Sequence, residues 1–155
     1  MKCELNPRLS SGDWKEFCSR FHFPLEELPN IQAIYKALLP LMESYAYYSL
    51  NQDLKEVSFS HYAYGFVTLG NGMDELSELY LNHEQIQEAY IVDCISLMLL
   101  SKAYEEFAYV VEEQSGLYLT ELSFLGDTYS LDLLPQIYEQ LAPDTIQFTE
   151  GQMLR

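Results

Sequence analysis

A single α+β domain is the fold class that this sequence predicts. Apolar patterns at helical and at strand spacing alternate along its 155 residues, and no internal repeat, low-complexity tract or Gly/Ser linker divides them. Hydrophobic residues make up 48% of the chain, which excludes a disordered protein. Thirteen Tyr and eight Phe predict an aromatic core, in which each buried hydroxyl group needs a hydrogen-bond partner.

The first third of the chain is predicted to be helical. The stretch DWKEFCSRF, residues 13–21, fits a short helix, and Asp13 with Glu16 fits a capping box at its start. The stretch NIQAIYKALLPLMESYAYYSL, residues 30–50, has apolar residues at helical spacing, with Asn30 as the candidate N-cap. Because Pro40 removes a helical hydrogen bond, we expect two helical pieces rather than one straight rod.

The middle of the chain predicts one strand followed by two helices. Residues 66–69 fit a buried strand, GNG at 70–72 ends it, and MDELSELYL at 73–81 fits an amphipathic helix with acids near its start. A long helix is then predicted from about Glu84 to Glu113. It should end at Ser115-Gly116, because glycine suits the left-handed position that follows a helix. Its first half is apolar on nearly every face, so we expect it to lie centrally.

The last third predicts two further strands around one helix. LYLTELSF, residues 117–124, alternates like a strand, and so does DTIQFTE, residues 144–150. Between them SLDLLPQIYEQLA fits a short helix, provided that Pro135 lies in its first turn. Neither a Rossmann glycine pattern nor a phosphate-binding loop is present in the sequence, and the single GNG is too little to indicate nucleotide binding.

The charge balance excludes several classes of partner. The chain has 24 acidic and 8 basic residues and a formal net charge of −16. From Glu56 onward there are seventeen acids, and Lys102 and Arg155 are the bases. Such a surface repels phosphate backbones and anionic lipids, so we expect no nucleic acid and no membrane as partner. The acids are either a solubilising surface or a surface for a basic partner.

A cytoplasmic location and the absence of a metal site are also expected. No basic stretch followed by an apolar one indicates a signal peptide, and the apolar run at 89–100 is too short to span a bilayer. The cysteines are odd in number and widely spaced, which fits reduced thiols. They and the histidines share no metal-ligand spacing: Cys3, Cys18, Cys94, His22, His61 and His83.

Three segments resemble one family, the activation domain of cobalamin-dependent methionine synthase and its stand-alone relatives. FVTLGNGMDEL is similar to the family's strand and acidic helix. EAYIVDCISLMLLSKAYEEF, continued by GLYLTELSFLGDTYSLDLLPQIYEQL, is similar to its buried helix, strand, glycine-tyrosine loop and following helix. IQFTEGQML is close to its Leu-Thr-Glu-Ser segment with a Met two residues on. The order and spacing agree over about residues 65–154.

The resemblance implies one domain over residues 1–155, with a helical lead-in over 1–55 and an activation-domain-like core over 56–155. The implied fold is a largely antiparallel sheet packed against helices. In the family, this domain covers the corrin and holds S-adenosylmethionine there during reductive reactivation. The protein positions the reacting groups, while cofactor and cosubstrate supply the chemistry. The family continues into a further strand, so where this chain ends we expect an exposed edge that favours homo-oligomer formation or docking on a second protein.

The resemblance also implies a site, and this sequence departs from it. The family grips the carboxylate of S-adenosylmethionine with an Arg before the loop, where residues 120–123 here read Thr-Glu-Leu-Ser. Ser101 occupies the position of a family Glu, and Phe-Leu-Gly-Asp replaces Ser-Pro-Gly-Tyr. The candidate ligand-binding residues that remain are Asp93, Glu121, Gly126, Asp127 and Tyr129. We therefore expect weakened or absent S-adenosylmethionine binding and no tightly bound cofactor.

Each candidate residue has a structural alternative. Asp93 could be a hydrogen-bond acceptor within an apolar helix, paired if it is buried. Gly126-Asp127 could be a plain turn rather than a place where a ligand approaches the backbone. Tyr129 would replace the aromatic residue of the family loop, and Glu121 could bind an amino or sulfonium group or simply face solvent.

The leading functional hypothesis is an accessory protein of a corrinoid-binding methyltransferase, which assists or covers a cobalamin held by that partner. The alternative is an interaction module that keeps the fold without S-adenosylmethionine or redox chemistry. A third hypothesis, an enzyme with its own active site, finds no Ser-His-Asp, Cys-His or metal constellation in the sequence.

Overall fold

An antiparallel sheet packs between helices, which confirms the predicted α+β fold class. The computed structural model describes residues 1–50, 61–144 and 146–147. Within them the sheet has the order β1-β2-β3, with strands β1 (Lys2–Glu4), β2 (Tyr45–Leu50) and β3 (Ala63–Thr68). The α-helices are α1 (Asp13–Phe21), α2 (Leu28–Leu38), α3 (Gly72–Asn82), α4 (Ile86–Ser115) and α5 (Leu134–Leu141). Single turns of 3₁₀-helix occupy Leu25–Glu27, Leu39–Leu41 and Leu131–Leu133.

Most of the predicted helices are confirmed. Helix α1 covers residues 13–21, α3 begins at Gly72, and α4 ends at Ser115 with Gly116 in the left-handed conformation at φ 68°. Pro135 lies in the first turn of α5, as the prediction required. The first half of α4 is largely buried, which confirms its central position. Among the described helices, none combines the length and apolarity that a bilayer crossing needs.

The prediction of a second helical piece after Pro40 is wrong. Helix α2 starts at Leu28 with Pro29 in its first turn, so Asn30 is a helical residue and not the N-cap. After the 3₁₀ turn at Pro40 the chain becomes β2, which pairs with β1 on one side and β3 on the other. The helical spacing of apolar residues was overridden by this pairing, because Tyr-rich sequence also suits a strand that is buried on both faces.

Two further predictions about segments need correction. Residues 1–55 are not a helical lead-in, since β1 and β2 lie within them. Residues 117–124 form no strand and are mostly exposed. An isolated bridge joins Leu125 to Tyr129. The predicted strand at 144–150 lies largely outside the described residues.

The sheet separates two apolar clusters of unequal size. The larger one contains Ala46 and Tyr48 of β2 and buried apolar residues of α1, α2, α3 and α4. The smaller one lies on the opposite face, because successive strand residues point to opposite sides. Its buried members are Tyr47, Tyr64, Phe66, Leu133, Leu134, Ile137 and Ile146. The residues after α4 are therefore anchored to the sheet through α5.

Asp13 is a buried acid that joins α1 to α4. The predicted capping box is absent: Asp13 is the first helical residue, and its Oδ2 accepts hydrogen bonds from the Ser10 backbone N–H at 2.7 Å and from Ser10 Oγ at 2.9 Å. Its Oδ1 lies 3.4 Å from Nζ of Lys102 on α4. The hydrogen bond from the Ser10 N–H is the largest cause that lowers the pKa of Asp13 below its ordinary 3.8, and Lys102 adds to it.

Replacing Asp13 with alanine should destabilise the fold in a pH-dependent way. At neutral pH we expect a loss of about 1–2 kcal/mol, because hydrogen bonds to a carboxylate disappear. A carboxyl group with a lowered folded-state pKa stabilises fully above its ordinary pKa, and that stabilisation is lost as the pH falls through the folded-state value. Thermal unfolding of both proteins at neutral pH and well below pH 3.8 measures the stability difference and its dependence on pH. Glu16→Ala, an exposed acid of the same helix, is the control; an equal loss for both variants would contradict the assignment.

Candidate functional site

Asp93 lies on the rim of an open cleft, on the exposed side of α4. Its Oδ1 accepts a hydrogen bond from Ser77 Oγ of α3 at 3.3 Å. Asp93 is thus a hydrogen-bond acceptor between two helices, as the structural alternative stated, and it faces solvent rather than the core. Its carboxylate remains available to a ligand in the cleft.

The cleft has a volume of about 410 Å³ and an apolar floor. It is formed by the end of β3, the start of α3 and the middle of α4, and it is lined by Val67, Thr68, Leu69, Gly70, Met73, Asp74, Asp93, Ser96, Leu97 and Leu100. Both hydroxyl groups of this lining are already bonded to backbone: Ser96 Oγ donates to the Val92 carbonyl at 2.7 Å, and Thr68 Oγ1 accepts from the Gly70 N–H at 3.0 Å. The charged groups of the lining are the carboxylates of Asp74 and Asp93. This arrangement favours a cationic group on an apolar body and disfavours a carboxylate.

Glu121 is solvent-exposed and lies in the irregular segment that follows α4. Its Oε1 accepts a hydrogen bond from Ser123 Oγ at 3.0 Å. Tyr129, in the same segment, is half-buried and packs against the smaller apolar cluster. The ring of Tyr129 therefore has a packing role, while Glu121 faces water.

Gly126 and Asp127 form a tight turn. The Asp127 N–H donates to the Phe124 carbonyl at 3.2 Å, and the Gly126 N–H donates to the Tyr129 carbonyl at 2.7 Å. Gly126 has φ of 95°, a conformation that side-chain-bearing residues rarely adopt, and the Leu131 side chain lies 3.4 Å from where a Cβ would stand. The turn closes on its own backbone and packs on Leu131, as a plain turn would.

Gly126→Ala should cost about 1 kcal/mol of folding free energy, because alanine is strained at this positive φ. Chemical denaturation measures the difference. Thr128→Ala, an exposed change in the same turn, should be nearly neutral. Equal stability of Gly126→Ala and the unmodified protein would show that the turn does not require glycine.

The five predicted residues do not line one cavity. Asp93 belongs to the cleft, whereas Glu121, Gly126, Asp127 and Tyr129 lie in the segment between α4 and α5, which contributes no residue to the lining of the cleft. Sequence reasoning missed Thr68, Asp74, Ser96 and Leu100 as cleft residues. The available signal was positional: a strand that ends at Thr68, a Gly-Asn-Gly turn and an acid in the next helical turn come together at one sheet end.

Among the described residues, no Lys, Arg or His lines the cleft. Lys102 contacts Asp13 at 3.4 Å and Glu105 at 3.8 Å, on the side of α4 that faces α1. No Lys, Arg or His occurs in the sequence between Lys102 and Arg155. The described residues of the cleft therefore do not fit the carboxylate of S-adenosylmethionine.

Metal and thiol chemistry find no support in the described part of the chain. No group of three or more His, Cys, Asp and Glu side chains there could hold a metal ion. Burial raises the pKa of the thiols of Cys3, Cys18 and Cys94, so each stays protonated and unreactive near neutral pH.

Comparison of the sequence with protein-family models and with curated proteins found no match. The resemblance to the methionine synthase activation domain accordingly rests on the quoted segments and on their order along the chain.

Proposed function

We propose that this protein is an accessory protein of a cobalamin-dependent methyltransferase of the methionine synthase type. It assists or covers a corrinoid cofactor that the partner holds, works in the cytoplasm, and has no independent catalytic activity. The observation that carries the proposal is the succession of elements: β3 ends at Thr68, the acidic helix α3 begins at Gly72, α4 is central, and the Gly126 turn precedes α5. The resembling segments of the family come in the same order.

Binding of S-adenosylmethionine is weakened or lost in this proposal. A charge-assisted contact from a base to a carboxylate contributes about 1.5–3 kcal/mol, and two carboxylates repel each other. Here the charged residues of the cleft are Asp74 and Asp93, and those near the Gly126 turn are Glu121 and Asp127, so all four are acids. The missing contact alone lowers the affinity by about ten- to a hundredfold. No step of the proposed role therefore runs through S-adenosylmethionine.

The second candidate function is an interaction module without S-adenosylmethionine or redox chemistry. The observation that favours it is the Gly126 turn itself. Its N–H groups are bonded to carbonyls of Phe124 and Tyr129, so they are not directed to a ligand. The two candidates share the fold and differ in whether a corrinoid is at the contact.

Two binding measurements test the proposal. In a pull-down, we expect the protein to retain a methyltransferase loaded with cobalamin and to retain the cobalamin-free enzyme more weakly. In calorimetry, titration of the protein with S-adenosylmethionine should give no saturable heat. Equal retention of both enzyme forms would favour the interaction module, and failure to retain either form would refute the accessory role. Tight saturable heat with S-adenosylmethionine would contradict the loss of that ligand.

A further inference from the structure

The segment between α4 and α5 exposes six large apolar side chains to solvent. They are between 41% and 91% exposed and belong to Leu117, Tyr118, Leu119, Leu122, Phe124 and Leu131. We call them the 117–131 face. Single exposed apolar residues are ordinary on protein surfaces, whereas exposed apolar residues gathered in one patch are typical of contact sites.

The backbone of this segment is held in place although it forms no strand. The Leu119 N–H donates to Oε1 of Glu112 at 2.8 Å, and the Leu117 N–H donates to Ser115 Oγ at 3.2 Å. The Phe124 ring stands edge-on to Tyr104 of α4, with centroids 5.1 Å apart. The segment thus lies along the C-terminal half of α4, and the 117–131 face is preformed, which lowers the entropy cost of binding.

The charged side chains in the sequence around this face are carboxylates. Residues 103–154 contain ten Asp and Glu and no Lys, Arg or His. Of the described acids, Glu113, Glu121, Asp127 and Asp132 lie within or next to the segment, and all four are exposed. An apolar surface with charges of one sign at its rim selects partners of the opposite charge. Burial of the apolar side chains at its centre then supplies the free energy of association.

We propose that the 117–131 face docks a partner protein whose contact surface has an apolar centre and a basic rim. Anionic lipid and nucleic acid are repelled by the carboxylates. A second copy of this chain is disfavoured because each copy carries a net charge of −16. The inference is independent of the proposed function, since it specifies the chemistry of the partner and not whether that partner holds a corrinoid.

The test uses defined peptide probes with the whole protein. An amphipathic Leu/Lys peptide should bind about tenfold or more tightly than a Ser/Lys peptide of the same charge, because the latter lacks an apolar face. A Leu/Glu peptide should not bind, and added salt should weaken the Leu/Lys complex. Hydrogen exchange with the bound Leu/Lys peptide should show protection of the 117–131 segment.

Two double variants make the test specific. Tyr118→Ser with Leu122→Ser should abolish the preference for the Leu/Lys peptide, whereas Leu25→Ser with Ile86→Ser, at two other exposed apolar positions, should keep it. Circular dichroism checks that both variants fold. Equal affinity for the Leu/Lys and Ser/Lys peptides, equal loss in both variants, or protection elsewhere would overturn the proposal. Sedimentation that shows self-association abolished by the first variant would also overturn it, and would assign the face to a second copy.

Discussion

Replacing Gly72 with alanine should destabilise the protein by about 3 kcal/mol or more, at the upper end of the cost of overpacking. Gly72 is the buried first residue of α3. A Cβ at this position would stand 2.2 Å from the Leu41 carbonyl oxygen and 2.8 Å from Leu41 Cβ. The first is a backbone atom and the second is attached directly to the backbone, so neither can move by a change of rotamer. The clash can therefore be relieved only if the 3₁₀ turn Leu39–Leu41 and α3 move apart. The helix-propensity gain of alanine, about 1 kcal/mol, is smaller.

Gly12→Ala is the matched control for this prediction. A Cβ at Gly12 would meet only Ser10 Oγ, at 4.0 Å, so its cost should stay below about 1 kcal/mol. Urea unfolding of both variants gives the comparison. Similar midpoints would show that α3 can move away from Leu41 at little cost, against the packing described here.

Replacing Leu99 with alanine should cost about 2–5 kcal/mol, the range for truncating a buried leucine. Leu99 is completely buried in the larger apolar cluster, on the part of α4 that packs centrally. Removal of three side-chain carbons leaves a cavity that the surrounding helices can fill only in part.

Leu97→Ala provides the control on the same helix. Leu97 is half-exposed on the rim of the cleft, so its truncation should cost less than about 1 kcal/mol. Thermal or urea unfolding of the two variants measures the difference. A cost at Leu97 as large as that at Leu99 would contradict the orientation of α4.

The helices were predictable because their signals are local. The apolar spacing of α4, Gly116 after its last turn and Pro135 in the first turn of α5 depend on neighbours within a few residues. Strand β2 was not predictable, because its residues also fit a helical pattern. Its conformation is decided by pairing with both β1 and β3. The alternation at 117–124 was misleading because a strand needs a partner strand to pair with, and alternation within the segment does not supply one.

The candidate site was predictable in its chemistry and less so in its geometry. The missing base and the excess of acids follow from the sequence alone, because composition fixes which charges can be present. The position of Asp93 on the rim of a cleft, near Thr68 and Asp74, was not predictable. It depends on how β3, α3 and α4 pack together. Tertiary packing of that kind has no signature at any one residue.

The absorption spectrum of cob(II)alamin bound to a cobalamin-dependent methyltransferase tests the central proposal most directly. Addition of this protein should change the spectrum saturably, without S-adenosylmethionine, because a protein that covers the corrin alters its surroundings. Gly72→Ala under conditions where it is unfolded should leave the spectrum as it was. An unchanged spectrum with the folded, unmodified protein at high concentration would contradict a role at the corrinoid.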